Sequence, residues 1–473
     1  MKKSSGSSLL KLALTGVAVV AVASTPLLGS AANLSSSPFH IRATNSEQPS
    51  TYAIKPFIKQ GAGAGDSQPG TGNGGSTSPT TPPATSAPTP DPTPSTPTDP
   101  SADLISIDLD TTKCNQGTVS LNTASYSSID PTVKLPLNAT IDWGDGSKQA
   151  MTYGSMSHNY KNYGKYTWNI KGTIGGLTTS SSSACYTAVT NMGDETGIKT
   201  LEGFLNGARN LTAMVEPPVT LENAARMMQS TTIFNGDTSQ WTLPNLKDAS
   251  LMFSGASIYN GDLSSLDTRN LTKASGMFSA AYLFEGKGLE NWKTPVLENA
   301  SAMFNNARKF NAPIGSWDVS KVKSFVSMFE DASIFNQPIG DWSPVSATTM
   351  QNMFKNDRVF NQPIDNWNLS NVTTFEGMFY NALKFNQPIN GWNVSGATTF
   401  VNIFRNETGG VMAFNQPLDK WDTSSAVNMT TFFWYTTNYS QDLSMWNVDK
   451  VLYHSAFNAG TKLTTAQMPK WKQ

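Results

Sequence analysis

The chain has 473 residues, with 33 Lys and Arg against 34 Asp and Glu and a formal net charge of −1. No basic cluster is present to neutralise phosphates, so composition argues against a nucleic-acid partner. The length suits two or three domains, and low charge with abundant Ser, Thr, Asn and Gly fits an extracellular protein.

Residues 1–32 have the build of a secretory signal peptide. Lys2, Lys3 and Lys11 precede an apolar run from Leu12 to Ala23, and small residues Gly29, Ser30, Ala31 and Ala32 follow. The alternative is an uncleaved anchor, but the run is short of the ~20 apolar residues a bilayer span needs. Cleavage would leave no stable membrane span, and the end "QMPKWKQ" has no apolar tail. The expected location is secreted or cell surface. Residues 33–100 are a polar N-terminal segment running into a Pro/Thr/Gly-rich stretch that includes "TSPTTPPATSAPTPDPTPSTPTDP". Such a stretch cannot bury enough surface to offset ordering entropy, so a disordered, semi-rigid linker is expected.

Residues 101–190 read as β-structure. "LISIDLD" and "KYTWNIKG" alternate apolar and polar residues, and "WGDG" from Trp143 is a hairpin-type turn. Cys114 and Cys185, the only two cysteines, bracket this segment. In an exported chain they are expected to form a disulfide; buried free thiols are the alternative. Asp142 and Asp145 could be offered as a Ca²⁺ site, but Asp before Gly is ordinary turn chemistry and too few oxygens are in view. The line "WGDG", then "HNY", then "YGKYTW" resembles the PKD domain family. The resemblance implies a small all-β, immunoglobulin-like sandwich used as an extracellular spacer or accessory module. Trp168 stands where a smaller β-branched residue is usual in that family.

Residues 191–473 are dominated by a repeat. Trp292, Trp317, Trp342, Trp367 and Trp392 are each 25 apart; Trp421 follows after 29 and Trp446 after 25. Phe304, Phe329, Phe354, Phe379 and Phe404 keep the same beat, as do the lines "FNAPIGSW", "FNQPIGDW", "FNQPIDNW", "FNQPINGW" and "FNQPLDKW". A period of this length means stacked coils, because one unit cannot bury its own apolar face. These tryptophans and phenylalanines are therefore the expected repeat core. In the coil from Trp367, the residues Phe375, Met378, Phe379 and Ala382 fall at i, i+3, i+4 and i+7, which predicts a short helix. Thr373 and Glu376 have capping-box spacing at its start, while Gly377 inside it argues for a short one. "FNQPI" is then extended, although Pro388 gives no ladder hydrogen. The recurring Asn311, Asn336, Asn361, Asn386 and Asn415 are read as a ladder satisfying neighbouring coils rather than as a ligand-binding stripe.

"MFEDASIFNQPIGDW" from Met328 and "WDVSKVKSF" from Trp317 resemble the repeat of BspA-like leucine-rich-repeat bacterial surface proteins. The resemblance implies an α+β repeat solenoid, leucine-rich-repeat-like, with one short strand and one short helix per ~25-residue coil and degenerate terminal coils. It also implies a surface-exposed or secreted protein that adheres to other proteins.

No catalytic, cofactor-binding or metal site is predicted. His40, His158 and His454 are far apart in sequence, and no carboxylate pair stands out as acid and base. No enzyme activity and no cofactor are expected. The expected function is binding of an extracellular protein partner through exposed residues that vary between coils, such as Lys321, Lys323, Arg358 and Lys384. The alternative is a glycan- or cell-wall-binding module with exposed tryptophans; a secreted hydrolase ranks below both.

Overall fold

The computed structural model describes residues 103–178, 180–194 and 196–472. The expected signal peptide (1–32) and linker segment (33–100) lie outside the described residues. Alternation of apolar and polar side chains sets the N-terminal strands. In β1 (Leu104–Asp110), Ile105, Ile107 and Leu109 face inward. β1 pairs antiparallel with β6 (Lys165–Ile174) and β8 (Tyr186–Asn191), which places Trp168 opposite Ile107. β3 (Leu137–Asp142), β4 (Lys148–Ala150) and β9 (Ala213–Met214) complete a six-stranded sheet of order β4-β3-β6-β1-β8-β9. β2 (Thr118–Thr123), β5 (Gly154–Asn159) and β7 (Leu177–Thr178) form a second sheet. Side chains from both sheets share one core.

The "WGDG" turn closes the β3–β4 hairpin. Gly144 has φ 83°, and a Cβ there would stand 2.6 Å from the Thr167 carbonyl oxygen, so the turn requires glycine. Trp168 is fully buried, and its indole N–H donates to the Tyr160 hydroxyl at 2.7 Å. That hydroxyl donates in turn to the Trp143 carbonyl at 2.5 Å. The large residue at 168 is thus held by the polar handle of its neighbour. Cys114 and Cys185 form a disulfide that closes a 71-residue separation. In the chain-entropy model such a loop contributes about 4 kcal/mol.

Both sheets pass into the repeats. β9 belongs to the first coil and pairs parallel with β8. Beside β7, Gly176 bridges Thr200, and a Cβ on Gly176 would collide with Thr200 at 2.4 Å. From there one parallel bridge per coil continues through Asn223, Asp248, Lys273, Asn299, Ser324, Thr349, Thr374, Thr399 and Asn428 to Tyr453. One core runs unbroken from Ile105 to Phe457.

The short helix and strand predicted in each coil are not formed. The Met-Phe segment is instead a run of turns with a divided set of donors. In one coil the N–H groups of Ala302, Phe304 and Asn306 cross to the carbonyls of Val326, Met328 and Glu330 at 2.7, 3.0 and 2.7 Å. Those of Met303, Asn305 and Ala307 bond back to Ala300, Ala302 and Phe304 at 3.2, 3.0 and 3.0 Å. A helix keeps its donors to itself; here alternate donors serve the next coil. Two residues per turn run take left-handed φ, such as Asn352 (56°) and Asn356 (61°), then Gly377 (60°) and Asn381 (56°). A Cβ on Gly377 would stand 2.2 Å from Asn352 Oδ1. The spacing of Phe375, Met378, Phe379 and Ala382 is real, but left-handed residues between them break helical continuity. Thr373 does not cap: its hydroxyl donates to the Thr348 carbonyl at 3.2 Å. The strand shrinks to the single bridge residue, and "FNQPI" forms no ladder, as Pro388 requires.

Asp357 occupies a position held by Ala307, Ala332 and Ala382 in neighbouring coils, and it is fully buried. Its Oδ1 accepts from the N–H groups of Val359 and Phe360 at 3.3 and 3.2 Å, while Oδ2 has no protein partner. Burial pushes its carboxyl well above the usual range, so the folded chain holds this proton more tightly than the unfolded chain. Its contribution to stability is therefore fully present below the unfolded carboxylate range. It is lost as pH rises towards the folded value. Asp357→Ala is expected to raise unfolding free energy at pH 7 by about 1–3 kcal/mol, the desolvation term of a buried unpaired group. The gain should shrink at pH 4. Urea denaturation of both chains at the two pH values checks this, and a less stable variant at pH 7 would contradict it.

Candidate functional site

The structure brings the predicted repeat residues together, in the interior. Phe304, Phe329, Phe354, Phe379 and Phe404 form a column with successive ring centroids 5.5–5.8 Å apart. A second column, Phe310, Phe335, Phe360, Phe385 and Phe414, packs against it at 3.7–4.0 Å within each coil. Trp292, Trp317, Trp342, Trp367, Trp392, Trp421 and Trp446 are only 1–4 % exposed. Each indole N–H donates to a backbone carbonyl of the preceding coil at 2.8–3.1 Å; Trp367, for example, reaches Ile339. These rings have neither a free face nor a free polar edge. The periodic tryptophans are therefore not a platform for sugars.

The asparagine ladder joins coils along a half-exposed rim. Asn336, Asn361, Asn386 and Asn415 each donate their backbone N–H to the side-chain oxygen of the preceding asparagine at 2.9–3.0 Å. That oxygen is committed to the stack, as the ladder reading expects.

The exterior holds two features that the repeat does not require. The first is an aliphatic ridge. Ile233, Ile258, Leu283, Ile334 and Val359 each precede the buried aromatic of their coil and are 36–45 % exposed. Lys309 and Lys384 fill the same position in other coils, so the fold accepts a charge there. Of the variable residues singled out above, Lys384 belongs to this ridge and Arg358 adjoins it. Lys321 is exposed elsewhere, and Lys323 is paired with Glu298 at 2.7 Å.

The second feature sits where 29 residues replace 25. Asn406 begins the extra loop, and its side chain organises it. Nδ2 donates to the Gly410 carbonyl at 2.5 Å, and Oδ1 accepts from the backbone and hydroxyl of Thr408 at 3.2 and 3.0 Å. The loop borders a cleft of about 550 Å³ lined by Asn406, Glu407, Gly409, Gly410, Trp434, Tyr435 and Thr437. The Arg405 guanidinium lies 3.7 Å from the Trp434 ring centroid and pairs with Glu407, which also accepts from the Tyr380 hydroxyl. Burial, then the Glu407 carboxylate, pushes the Tyr380 hydroxyl up to about 12. Sequence reasoning missed this cluster, although the irregular spacing marked its place.

A larger cleft of about 930 Å³ lies along the six-stranded sheet and includes Asp108, Asp110 and Asp142. Asp110 is held below the usual range by the Thr112 hydroxyl, and Asp142 by the Gly144 N–H and Lys148. Neither has the raised value of a general acid. Asp142 and Asp145 do turn chemistry: they accept from the N–H groups of Gly144 and Ser147 at 2.9 and 3.1 Å. Asp145 also pairs with His158 at 2.8 Å, and His454 stacks on Trp471. His40 lies outside the described residues. Among the described residues, no group of three or more His, Cys, Asp or Glu could hold a metal ion. No helix among them is long and apolar enough to cross a membrane.

A protein-family model described as "Mycoplasma protein of unknown function, DUF285" matches residues 194–292, 281–382 and 348–471. The matches overlap, as expected for a repeat, and together cover more than half of the chain. No curated protein and no solved structure matches.

Proposed function

For a chain that belongs to the DUF285 repeat family, we propose an exported surface or secreted protein whose repeats bind an extracellular protein partner. In this reading the coils are a leucine-rich-repeat-like solenoid of the BspA type, and residues 101–190 are a PKD-like sandwich that begins it. The signal-like N-terminus and the disulfide support export, since disulfides persist in oxidising compartments. The aliphatic ridge carries the binding assignment. Isolated apolar side chains are ordinary on a surface, but here they align in two runs, Ile233, Ile258 and Leu283, then Ile334 and Val359, separated by Lys309, and aligned apolar side chains are the kind of patch that marks a protein contact. Core packing does not explain the row, because lysine fills the same position at Lys309 and Lys384.

Those two lysines also supply the control. A triple variant, Ile258→Lys, Leu283→Lys and Ile334→Lys, is expected to keep its melting temperature. Used as bait against an extract of extracellular matrix proteins, it should lose the protein that the parent chain retains. Equal retention by both baits would overturn the assignment.

A further inference from the structure

We propose that the cleft at the four-residue insertion is a binding site for a neutral saccharide unit, separate from the ridge. The first ground is backbone conformation. Tyr435 holds φ 55°, at a position where the repeat requires left-handed φ and other coils place small or polar residues such as Ser230, Gly255, Ala280, Asp331, Asn356 and Asn381. Asparagine and glycine accept this conformation readily, whereas a bulky aromatic does not. The tyrosine is 52 % exposed, and one edge of its ring lies against Gly460 of the next coil. Its hydroxyl has no hydrogen-bond partner among the described residues. A residue kept against its backbone preference, and facing a cleft, points to a ligand.

The second ground is the organised wall. The loop is fixed by Asn406 and by the Glu407 N–H, which donates to Asn381 Oδ1 at 2.7 Å. The Trp434 and Tyr435 rings lie 5.6 Å apart at 42° and border the same space. A volume of about 550 Å³ falls within the ~300–1,000 Å³ common for small-ligand sites.

The third ground is charge. Arg405 pairs with Glu407, and Lys355 pairs with Glu330 at 2.8 Å. Glu407, the charged residue among those lining the cleft, is thus already paired. Arg405 covers one face of Trp434, which leaves the Tyr435 ring, the Tyr435 and Thr437 hydroxyls and the backbone of Gly409 and Gly410. That set matches a sugar ring, with an apolar C–H face for the aromatic ring and hydroxyls around its edge.

The test uses the full chain on an array of neutral and anionic (sialylated or sulfated) oligosaccharides. Retention of neutral members is expected. Tyr435→Asn, which suits the backbone better, should weaken that binding about tenfold or more, a difference of about 1.4 kcal/mol. Its melting temperature should not fall, and the ridge variant should still bind. No retention, retention of anionic members only, or undiminished binding by Tyr435→Asn would each overturn the proposal. Equal protein capture by the parent chain and the ridge variant, with sugar binding intact, would strike only at the ridge.

Discussion

Trp367→Ala is expected to lower the unfolding free energy by about 3–5 kcal/mol, the range for truncating a large buried aromatic. The indole is 3 % exposed and stacks on Trp342 at 6.2 Å. Its N–H is the partner of the Ile339 carbonyl at 3.0 Å, so truncation leaves a void and an orphaned acceptor together. Loss should spread beyond one coil, because each coil is stabilised mainly by its neighbours. Urea denaturation followed by circular dichroism gives the number. A change below about 1 kcal/mol would mean that the site collapses freely or that the ring is not buried in solution.

Residues 191–473, produced without the preceding strands, are expected to lose the cooperative melt of the full chain. The predicted boundary at 190/191 is a change of backbone pattern, with no gap in the core. Across it the N–H groups of Thr212 and Val215 donate to Thr187 and Val189 at 2.9 and 3.1 Å. Lys199 donates to Gly175 at 2.8 Å, and Phe204 packs on Tyr186 with ring centroids 6.0 Å apart. Cutting here uncovers Ile198, Leu201, Phe204 and Leu205, all fully buried in the intact chain. Full burial of each such side chain is worth roughly 1.5–3 kcal/mol. A terminal repeat needs a polar outer face, and the two N-terminal sheets serve as the missing cap. Calorimetry of the two chains decides the matter: an unchanged melting temperature for the shorter one would show that the coils need no cap.

The interior was legible in the sequence because burial repeats with the chain. A 25-residue interval for Trp and Phe, broken once by 29, is kept by positions that meet the same neighbours in every coil, and those side chains do stack. The disulfide was legible for a simpler reason, since two cysteines bracketing one β-segment have one pairing available. Backbone conformation was harder. The apolar spacing from Phe375 to Ala382 fits a helix and a run of turns equally well. Gly377, Asn381 and their counterparts Asn352 and Asn356 were the distinguishing signal: residues suited to left-handed φ, recurring at fixed positions. The cleft was hidden because Trp434, which lines it, and Arg405 and Tyr380 beside it share one coil position whose residue type changes from coil to coil, so no recurring letter marks it. Only the interval of 29 pointed to them. The ridge was hidden because one exposed Ile is unremarkable until stacking aligns it with others.

Hydrogen exchange on the full chain tests the central claim, that successive coils form one continuous stack. The amides that cross between coils, such as Ala302, Phe304, Asn306, Phe354 and Phe379, should be the slowest to exchange. They should open together, with free energies near that of global unfolding. Rapid exchange at these positions, or protection that differs coil by coil as for independent beads, would contradict it.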